Sequence, residues 1–447
     1  MNIKSNDTIV AIATANGIGS ISIIRLSGQD ALALALKLLQ TTSLTPRVAK
    51  LCKVYDVKQN IIDEALLLYF KNPHSFTGED IVEFQCHGGI AVSNMILDAL
   101  IEVGARLADP GEFSKRAFLN GKIDLTQAEA IAKLIEARSE DSVRLLAKQL
   151  NGELKNFVEN IREDLLFMLA YTEVNIDYAE EDLPSDIFEQ IQNKLTSITK
   201  LLTNTLESSQ RRVGMIEGFK VAIIGKPNVG KSSLLNKLLD CDRAIVSDIA
   251  GTTRDTIEES VKLGTHIIKI VDTAGIRDSS DEIEKIGIEK SLESIQSADI
   301  IVALFDSSRV QDEQDKHIID ILDKTTKEKI IVLNKTDLES KFNSNNFDKF
   351  ISLSTKNDIN PLIKQIENIL DNNTHSDDMT LISKRQVSSV QEALNHITQS
   401  QTPLQTGELE FFAYHINEAL VSISNITRPY EHTQMLDVMF GSFCLGK

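Results

Sequence analysis

Residues 225–232 read Gly-Lys-Pro-Asn-Val-Gly-Lys-Ser, and this stretch determines how the chain around it folds. The apolar run 219–224 precedes it, and a helical pattern over 233–239 follows it. A strand, a glycine-rich loop and a helix in this order form the context that a phosphate-binding loop requires. Gly225 and Gly230 allow the backbone to curl so that successive N–H groups point toward one anion. The alternative is an ordinary strand–turn–helix corner, but every fixed position of the motif agrees with phosphate binding.

Two side chains of this loop suit a nucleotide. The helix that begins at Lys231 directs the positive end of its dipole toward a bound anion. Lys231 can reach the β- and γ-phosphates, and the hydroxyl of Ser232 is placed to ligate Mg²⁺. We therefore predict a magnesium–nucleoside triphosphate site at the start of this helix.

Length and composition limit the remaining interpretations. A chain of 447 residues is too long for one core and predicts about three domains. The formal net charge of −18 argues against a broad basic surface for nucleic acid, so such a partner would need a local patch. The four cysteines lie far apart without metal spacing, no signal peptide is recognisable, and no apolar run approaches the ~20 residues that span a bilayer. These features predict a cytoplasmic protein with reduced thiols.

Residues 1–120 are predicted to form a compact α+β unit. β-rich runs occur at 8–14, 19–26, 64–71 and 80–86, and helical spacing occurs at 30–40 and 90–103. The glycine- and proline-containing stretches 75–80 and 109–122 are interpreted as turns with charged rims. Cys86 and His87 could suggest a nucleophile–base pair, but neighbours on a strand face opposite ways, so we interpret them as structural.

Two helical regions flank the glycine-rich loop. Apolar residues recur at spacings of three and four over 121–215 and again over 376–447, and Asp124 is a candidate helix cap. The economical interpretation is one helical bundle into which residues 216–375 are inserted. The stretch 163–193 is acidic after Arg162, which favours a solvated face, with a docking surface for a basic partner as the alternative.

The inserted region alternates strands and helices, as a doubly wound sheet does. Apolar strands are predicted at 219–224, 267–271, 299–305, 330–333 and 350–353. Ligands bind at the carboxyl ends of such strands, and four further motifs fall there. In the two that suit phosphates, Thr253 can complete the Mg²⁺ shell, Asp272 can hold Mg²⁺ through water, and the Gly275 N–H can meet a γ-phosphate.

The other two motifs suit a guanine base. The stretch 334–337, Asn-Lys-Thr-Asp, ends in Asp337, whose carboxylate can accept hydrogen bonds from guanine N1–H and N2–H₂, which adenine does not offer. The stretch 354–356, Ser-Thr-Lys, can present backbone N–H groups to guanine O6. The order and position of all these motifs predict a GTP-binding domain.

One position affects the mechanism of hydrolysis. Ras-type GTPases place a water-orienting glutamine directly after the Asp-x-x-Gly motif, but this chain has Ile276 there. Another group must orient water, and residues 278–284 supply several carboxylates. Charge on the phosphates must be neutralised by Arg254 or Arg277, or by a bound monovalent cation. The alternative is that these charges belong only to a solvated loop.

A set of motifs is spread along the chain: Thr77-Gly78-Glu79-Asp80, His87-Gly88-Gly89, Pro110-Gly111-Glu112-Phe113, Arg116-Ala117-Phe118-Leu119-Asn120, Gly251-Thr252-Thr253-Arg254-Asp255, Asp272-Thr273-Ala274-Gly275-Ile276-Arg277 and Phe443-Cys444-Leu445-Gly446-Lys447. On these motifs, and along essentially its full length, the chain resembles the MnmE (TrmE) family of tRNA-modifying GTPases. The resemblance implies a multidomain α/β plus all-α fold: a folate-binding and dimerisation domain (1–120), a helical domain (121–215 and 376–447) and an inserted Ras-like GTPase domain (216–375).

The resemblance also implies a function. The implied function is that of a potassium-dependent GTPase that acts with an MnmG-type FAD protein to add a carboxymethylaminomethyl-type group to C5 of the wobble uridine of certain tRNAs. The expected cofactors are K⁺, Mg²⁺ and formyl- or methylene-tetrahydrofolate, and the expected assembly is a homodimer. A regulatory GTPase of the ribosome-assembly type is the alternative, and a folate-storage scaffold is a weaker one.

The resemblance assigns roles to individual residues. Glu284 would take the place of the missing glutamine, and Arg277 and Cys444 are further catalytic candidates, although Cys444 can equally be a packing residue. Mg²⁺ would be held by Ser232 and Thr253. Potassium would be held by Asn228, Ser247, Ile249 and Thr252, and folate by Arg25, Glu83, Lys122 and Lys447. The residues predicted to contact GTP are Asn228, Val229, Gly230, Lys231, Ser232, Ser233, Ser247, Asp248, Ile249, Ala250, Gly251, Thr252, Thr253, Asp272, Thr273, Ala274, Gly275, Asn334, Lys335, Asp337, Ser354, Thr355 and Lys356. The stretch 428–434 reads Arg-Pro-Tyr-Glu-His-Thr-Gln where the family is expected to have an acidic run.

Overall fold

The computed structural model describes residues 7–15, 17–177, 186–241, 259–271, 295–296, 298–344, 347–374 and 379–428, together with residues 436, 439–441, 443 and 446. The chain divides into two compact units. The first unit comprises Met1–Ala132, Gln149–Glu180 and Pro403–Lys447, and the second comprises Lys133–Lys148 and Glu181–Thr402. The domain boundaries given above stay predictions.

A six-stranded sheet forms the centre of the first unit. Its strands are β1 (Ile9–Ile12), β2 (Ile21–Ser27), β3 (Lys50–Tyr55), β4 (Ile61–Phe70), β5 (Ile81–His87) and β6 (Arg106–Leu107), in the order β3-β4-β5-β2-β1-β6. The helices of this region are α1 (Ala31–Lys37), α2 (Ile90–Glu102) and α3 (Glu112–Leu119). Neighbouring strands are antiparallel, except that β1 and β6 are parallel.

Alternation along the strands separates a core face from a face that carries polar groups. On β5, Val82, Phe84 and Cys86 are buried in a cluster that includes residues of α1 and α2. Glu83 lies on the opposite face because successive strand residues alternate. It pairs in register with Arg25 of β2 and Leu68 of β4, so these three residues form one row across the sheet.

The structure corrects two expectations for this region. The short strand β6 and the edge strand β3 were not predicted. The stretch 109–122, predicted as a turn, contains the helix α3, because Phe113 and Ala117 supply a buried stripe that the proline and glycine signals obscured. Gly111 precedes this helix with a φ of 67°, and a side-chain carbon there would lie 3.0 Å from Cβ of Phe443.

Helices follow the first sheet, as predicted. They are α4 (Leu125–Glu136), α5 (Glu140–Leu150), α6 (Glu153–Asp177) and α7 (Asp186–Glu217). Asp124 caps α4 as predicted, because its Oδ1 accepts hydrogen bonds from the Thr126 hydroxyl at 2.6 Å and the Gln127 N–H at 3.0 Å.

The second unit contains the predicted doubly wound sheet. Its strands are β7 (Phe219–Ile224), β8 (Glu259–Leu263), β9 (His266–Val271), β10 (Ile300–Asp306), β11 (Glu328–Asn334) and β12 (Ile351–Ser352), in the order β12-β11-β10-β7-β9-β8. All pairs are parallel except β8 with β9. The described helices of this region are α8 (Lys231–Cys241), α9 (Glu313–Lys324) and α10 (Asn360–Thr374), and separate apolar clusters cover the two faces of the sheet.

Two helices follow this sheet in the chain, α11 (Lys384–Thr406) and α12 (Leu409–Thr427). In the first unit, α12 packs against α6, so helices from before and after the second sheet share one core. The predicted combination of an α+β region, helical segments and an inserted doubly wound sheet is confirmed. None of the helices in the described ranges has the length and apolar character needed to cross a membrane.

Candidate functional site

The glycine-rich loop lies between β7 and α8, where the sequence placed it. Asn228 and Gly230 have φ values of 64° and 107°, which curl the loop through the left-handed region. A side-chain carbon at Gly225 would lie 2.5 Å from the Leu304 carbonyl oxygen of β10, so only glycine fits there. The Leu234 N–H donates to the Gly230 oxygen at 2.9 Å and closes the first turn of α8. The amino end of α8, where the backbone N–H groups of a helix suit an anion, therefore lies next to the curled loop.

Lys231 lies within the mouth of this loop. Its Nζ donates to the carbonyl oxygens of Gly225 at 2.6 Å and of Lys226 at 2.8 Å. Ser232 and Ser233 are exposed on the first turn of α8, and Asn228 is exposed on the loop. The structure therefore gathers a cation, two hydroxyls and an amide side chain at one point, as a site for phosphate and Mg²⁺ needs.

Asn334 connects the loop to the segment for which base binding is predicted. It is fully buried at the end of β11. Its Nδ2 donates to the Val229 carbonyl at 2.7 Å, and its Oδ1 accepts a hydrogen bond from the Thr355 N–H at 2.9 Å. The next residue, Lys335, has a φ of 64° and reaches the Asn228 carbonyl at 2.7 Å. These hydrogen bonds hold the glycine-rich loop, the end of β11 and the segment at Thr355 together.

Asp337 carries the predicted guanine recognition. The hydroxyl of Ser354 donates to its Oδ1 at 2.8 Å. This hydrogen bond holds the pKa of Asp337 below its ordinary value, although desolvation opposes the shift. Lys356, which is exposed, places its Nζ 4.0 Å from Oδ2 of Asp337. An ionised carboxylate with a free oxygen lone pair can accept hydrogen bonds from guanine.

The sequence interpretation missed an ion-pair cluster beneath the loop. Lys226 places its Nζ 2.7 Å from Oδ2 of Asp312 and 2.6 Å from Oδ2 of Asp315. Burial opposes the charge on Lys226, but the hydrogen bonds that it donates to these carboxylates hold its pKa above the ordinary value. Asp312 and Asp315 also form a capping box at the start of α9. The Asp-x-x-Asp spacing could have predicted that cap, but not its lysine partner.

Many predicted site residues lie outside the described residues, and their roles stay predictions. These are Ser247, Asp248, Ile249, Ala250, Gly251, Thr252, Thr253, Asp272, Thr273, Ala274, Gly275, Arg277, Glu284, Cys444 and Lys447.

In the first unit, the structure brings together Arg25 and Glu83. Nε of Arg25 donates to Oε1 of Glu83 at 2.9 Å, and the guanidinium carbon lies 6.0 Å from the ring centre of Phe76 and 5.8 Å from that of Phe113. The Lys122 side chain packs against Gly78, where an added side-chain carbon would lie 3.0 Å from Cε of Lys122. Lys122 also lines an open cavity of about 560 Å³ together with Phe76 and Leu68. We call this cavity the β4 recess; its lining residues are Arg47, Leu68, Phe70, Pro73, His74, Ser75, Phe76 and Lys122.

A polar network connects the motif at residues 77–80 with the motif at residues 116–120. Arg116 of α3 is only 11% exposed, and its guanidinium donates to Glu79 at 3.2 Å and to Asp7 Oδ1 at 2.7 Å. The Ser27 hydroxyl reaches Glu79 at 2.8 Å, and Asn120 donates to the Thr77 carbonyl at 2.7 Å. The interpretation of these charges as rim groups was therefore wrong for Arg116. Their partners are distant in sequence, and the local pattern carried no signal of them.

Comparisons with known proteins agree with this organisation. The family model described as "GTP-binding protein TrmE N-terminus" matches residues 8–122, and the one described as "MnmE helical domain" matches residues 125–444. The chain belongs to the MnmE family. The prediction of a GTP hydrolase that acts in tRNA modification is confirmed by this membership.

Relatives named "tRNA modification GTPase MnmE" match almost end to end. The Aliarcobacter butzleri protein is 68% identical over 99% of this chain and 99% of its own length. The Sulfurimonas denitrificans protein is 58% identical over 99% of this chain and all of its own length (100%). The Campylobacter jejuni protein (strain RM1221) is 50% identical over 99% of this chain and 100% of its own.

Solved structures show only partial likeness. Era from Aquifex aeolicus is 26% identical with a TM-score of 0.27, over 40% of this chain and 66% of that chain. The G domain of the T. maritima FeoB iron transporter is 22% identical with a TM-score of 0.25, over 35% of this chain and 99% of that chain. At these TM-scores the likeness assigns no function.

Proposed function

We propose that this chain is a potassium-dependent GTPase that, with an MnmG-type FAD protein, drives addition of a carboxymethylaminomethyl-type group to C5 of the wobble uridine of certain tRNAs. The observation that carries the proposal is the arrangement of Asn334, Asp337 and Ser354 beside the glycine-rich loop. It combines a phosphate-binding helix end with a carboxylate suited to guanine. Family membership supports the tRNA part of the proposal.

Different residues of the glycine-rich loop are proposed to contact the phosphates, Mg²⁺ and K⁺. Lys231 and the N–H groups at the start of α8 stabilise negative charge on the β- and γ-phosphates. Ser232 would hold Mg²⁺ together with Thr253, and oxygen donors of this kind suit that ion. Potassium would be held by Asn228 with Ser247, Ile249 and Thr252. The exposed amide of Asn228 on the loop supplies an oxygen donor that fits such an ion.

Water activation is assigned to a carboxylate outside the described residues. Ras-type GTPases have a water-orienting glutamine at the position of Ile276, and an isoleucine side chain cannot orient water. Glu284 would orient the attacking water instead. Arg277 is the nearby candidate for further charge neutralisation. Both assignments rest on the resemblance and on the chemistry of these side chains.

The first unit is proposed to bind formyl- or methylene-tetrahydrofolate. The donor set fits this cofactor, because Glu83 can accept hydrogen bonds from a pterin ring and Arg25 and Lys122 can pair with carboxylates. When bound, the folate supplies a one-carbon unit. Lys447 is proposed to contact it, and Cys444 is proposed as a catalytic residue.

The proposed setting is a cytoplasmic homodimer that binds tRNA and the FAD protein. Nucleoside analysis tests the tRNA function: transfer RNA from a strain that lacks this chain should lose the modified wobble uridine, and re-expression should restore it. Unchanged wobble uridines would favour a regulatory GTPase of the ribosome-assembly type instead.

Steady-state hydrolysis tests the mechanism. Turnover should fall when Na⁺ replaces K⁺, and Glu284→Ala should slow turnover with little change in GTP affinity. Glu282→Ala is the matched control, since it removes a carboxylate two positions away. Equal turnover in the two alkali metals would remove the potassium assignment. A large loss of GTP affinity in Glu284→Ala would make that residue structural.

A further inference from the structure

We propose that Arg47 is the centre of a binding site for the glutamate chain of a folate, beside the ring site on Glu83 and Arg25. This inference rests on the folate binding proposed above. The ligand class is an extended oligo-γ-glutamate, whose carboxylates would be held by the basic groups around Arg47.

Two adjoining recesses meet at Arg47. The β4 recess of about 560 Å³ is the first. The second, of about 430 Å³, is lined by Pro46, Arg47, Lys71, Asn72 and His74, so Arg47 and His74 line both. Among the described residues that line either recess, none is acidic, while Arg47, Lys71, His74 and Lys122 are basic. Such a lining favours a ligand with several negative charges.

The backbone of Arg47 is held in an unusual conformation. Its φ is 61°, in the left-handed region that few residues other than glycine adopt. The Arg47 N–H donates to the Tyr69 carbonyl of β4 at 2.8 Å, and its Nη2 donates to the His74 carbonyl at 3.2 Å. The guanidinium nevertheless stays exposed. A strained position that presents an exposed guanidinium to two recesses is a reason to assign it a ligand.

The β4 recess continues from the proposed ring site. Leu68 lines the recess and pairs in register with Glu83, which pairs in turn with Arg25. Leu68, Phe70 and Phe76 give the recess an apolar floor, which suits the aminobenzoyl part of a folate. The basic groups stand beyond that floor, where a chain of carboxylates would continue. Arginine binds carboxylates through paired hydrogen bonds, so Arg47 is the strongest candidate contact.

The experiment compares two forms of one ligand on the full-length chain. Dissociation constants are measured by calorimetry for 5-formyl-tetrahydrofolate with one glutamate and with three. The wild-type chain should bind the triglutamate about tenfold more tightly, the value of roughly one charge-assisted contact. In Arg47→Gln, the preference should fall to about twofold or less, because the variant should weaken the triglutamate more than the monoglutamate. Arg47→Lys should retain part of the preference because it keeps the charge.

Lys53→Gln is the matched control. It removes one positive charge from an exposed position on β3 that lines neither recess, and the preference should stay at the wild-type value. Thermal unfolding of each variant establishes that the fold is retained.

Three results would overturn the inference while leaving folate binding intact: equal wild-type affinity for the two forms, equal weakening of both forms by Arg47→Gln, or a loss of tRNA affinity in Arg47→Gln with the glutamate preference unchanged. The last result would assign the basic lining to RNA phosphates. Failure of the wild-type chain to bind either form would overturn the proposed folate function, and this inference with it.

Discussion

Nζ of Lys226 lies 2.6 Å from Oδ2 of Asp315, a carboxylate whose side chain is only 3% exposed. The same ammonium group lies 2.7 Å from Oδ2 of Asp312. Lys226 is the second residue of the glycine-rich loop, and its carbonyl oxygen accepts a hydrogen bond from Lys231 at 2.8 Å. The start of α9 therefore fixes the part of the glycine-rich loop to which the Lys231 side chain is hydrogen-bonded.

The first prediction concerns this ion pair. Lys226→Met should destabilise the chain by about 3 kcal/mol, because the buried Asp315 carboxylate would lose its partner. GTP affinity should fall with it, since Lys231 would lose a fixed anchor. Urea unfolding and nucleotide titration provide the measurements.

Two further variants separate the cluster from a general charge effect. Lys316→Met breaks an exposed pair with Glu313 on the same helix and should change the unfolding free energy far less than Lys226→Met does, because water screens that pair. Lys226→Arg keeps the charge and should retain most of the stability. Equal losses in Lys226→Met and Lys316→Met would show that the buried pair has no special role.

The second prediction concerns base recognition by Asp337. In Asp337→Asn, an amide NH₂ replaces one of the carboxylate oxygens that are proposed to accept hydrogen bonds from guanine N1–H and N2–H₂, so GTP affinity should fall by about 10- to 100-fold. Affinity for xanthosine triphosphate should rise, because its base offers an oxygen where guanine offers an amino group. Competition binding with the two nucleotides measures both changes. Glu339→Gln, at an 85% exposed carboxylate two residues away, should leave the preference intact. Unaltered discrimination in Asp337→Asn would place base recognition elsewhere.

How much the sequence could predict depended on whether the signal was local. The strand Phe219–Ile224 was predicted to the residue because it is a continuous apolar run directly before a glycine-rich loop. Asn334 and Asp337 were predicted to belong to the site because a short motif coincides with the end of a predicted strand. The pairing of Lys226 with Asp315 joins residues 89 positions apart, and no short pattern encodes it. Edge strand β3 was missed because its sequence does not alternate regularly between apolar and polar residues. The strand forms through its pairing with β4, which no local pattern encodes.

The third prediction concerns acid stability in the first unit. Burial opposes ionisation of Glu112, but hydrogen bonds from Arg106 at 2.6 Å and from the Asp109 N–H at 2.8 Å outweigh it and hold the pKa of Glu112 below its ordinary value. The ionised group therefore contributes stability above its unfolded pKa of about 4.3, and this contribution is lost as the pH falls through the lower folded pKa. Unfolding free energy should decline with acidification from about pH 5 downward.

Glu112→Gln should flatten that acid decline, because the variant has no proton to gain at this position. Glu102→Gln is the control, since Glu102 is exposed on α2 and the decline should persist in it. Urea unfolding at a series of pH values gives the slopes. An identical slope in wild type and Glu112→Gln would assign the acid sensitivity to other carboxylates.

The fourth prediction concerns Cys86, which the sequence placed beside a histidine. Burial raises the pKa of Cys86 to about 11, with a further contribution from Asp63, and its Sγ lies 3.4 Å from the Ser22 carbonyl. His87 faces the other way, where its Nδ1 lies 2.7 Å from Oδ1 of Asp63 and its side chain is 75% exposed. The two side chains therefore cannot form a nucleophile–base pair.

Alkylation by iodoacetamide at pH 8, followed by peptide mass spectrometry, checks this assignment. The raised pKa leaves Cys86 largely protonated at that pH, and the residue is buried, so its modification should be far slower than that of the partly exposed Cys52. Denaturant should bring the two rates together, because burial is the cause of the difference. Rapid modification of Cys86 in the native chain would instead indicate an accessible, activated thiol, and its interpretation as a packing residue would have to be abandoned.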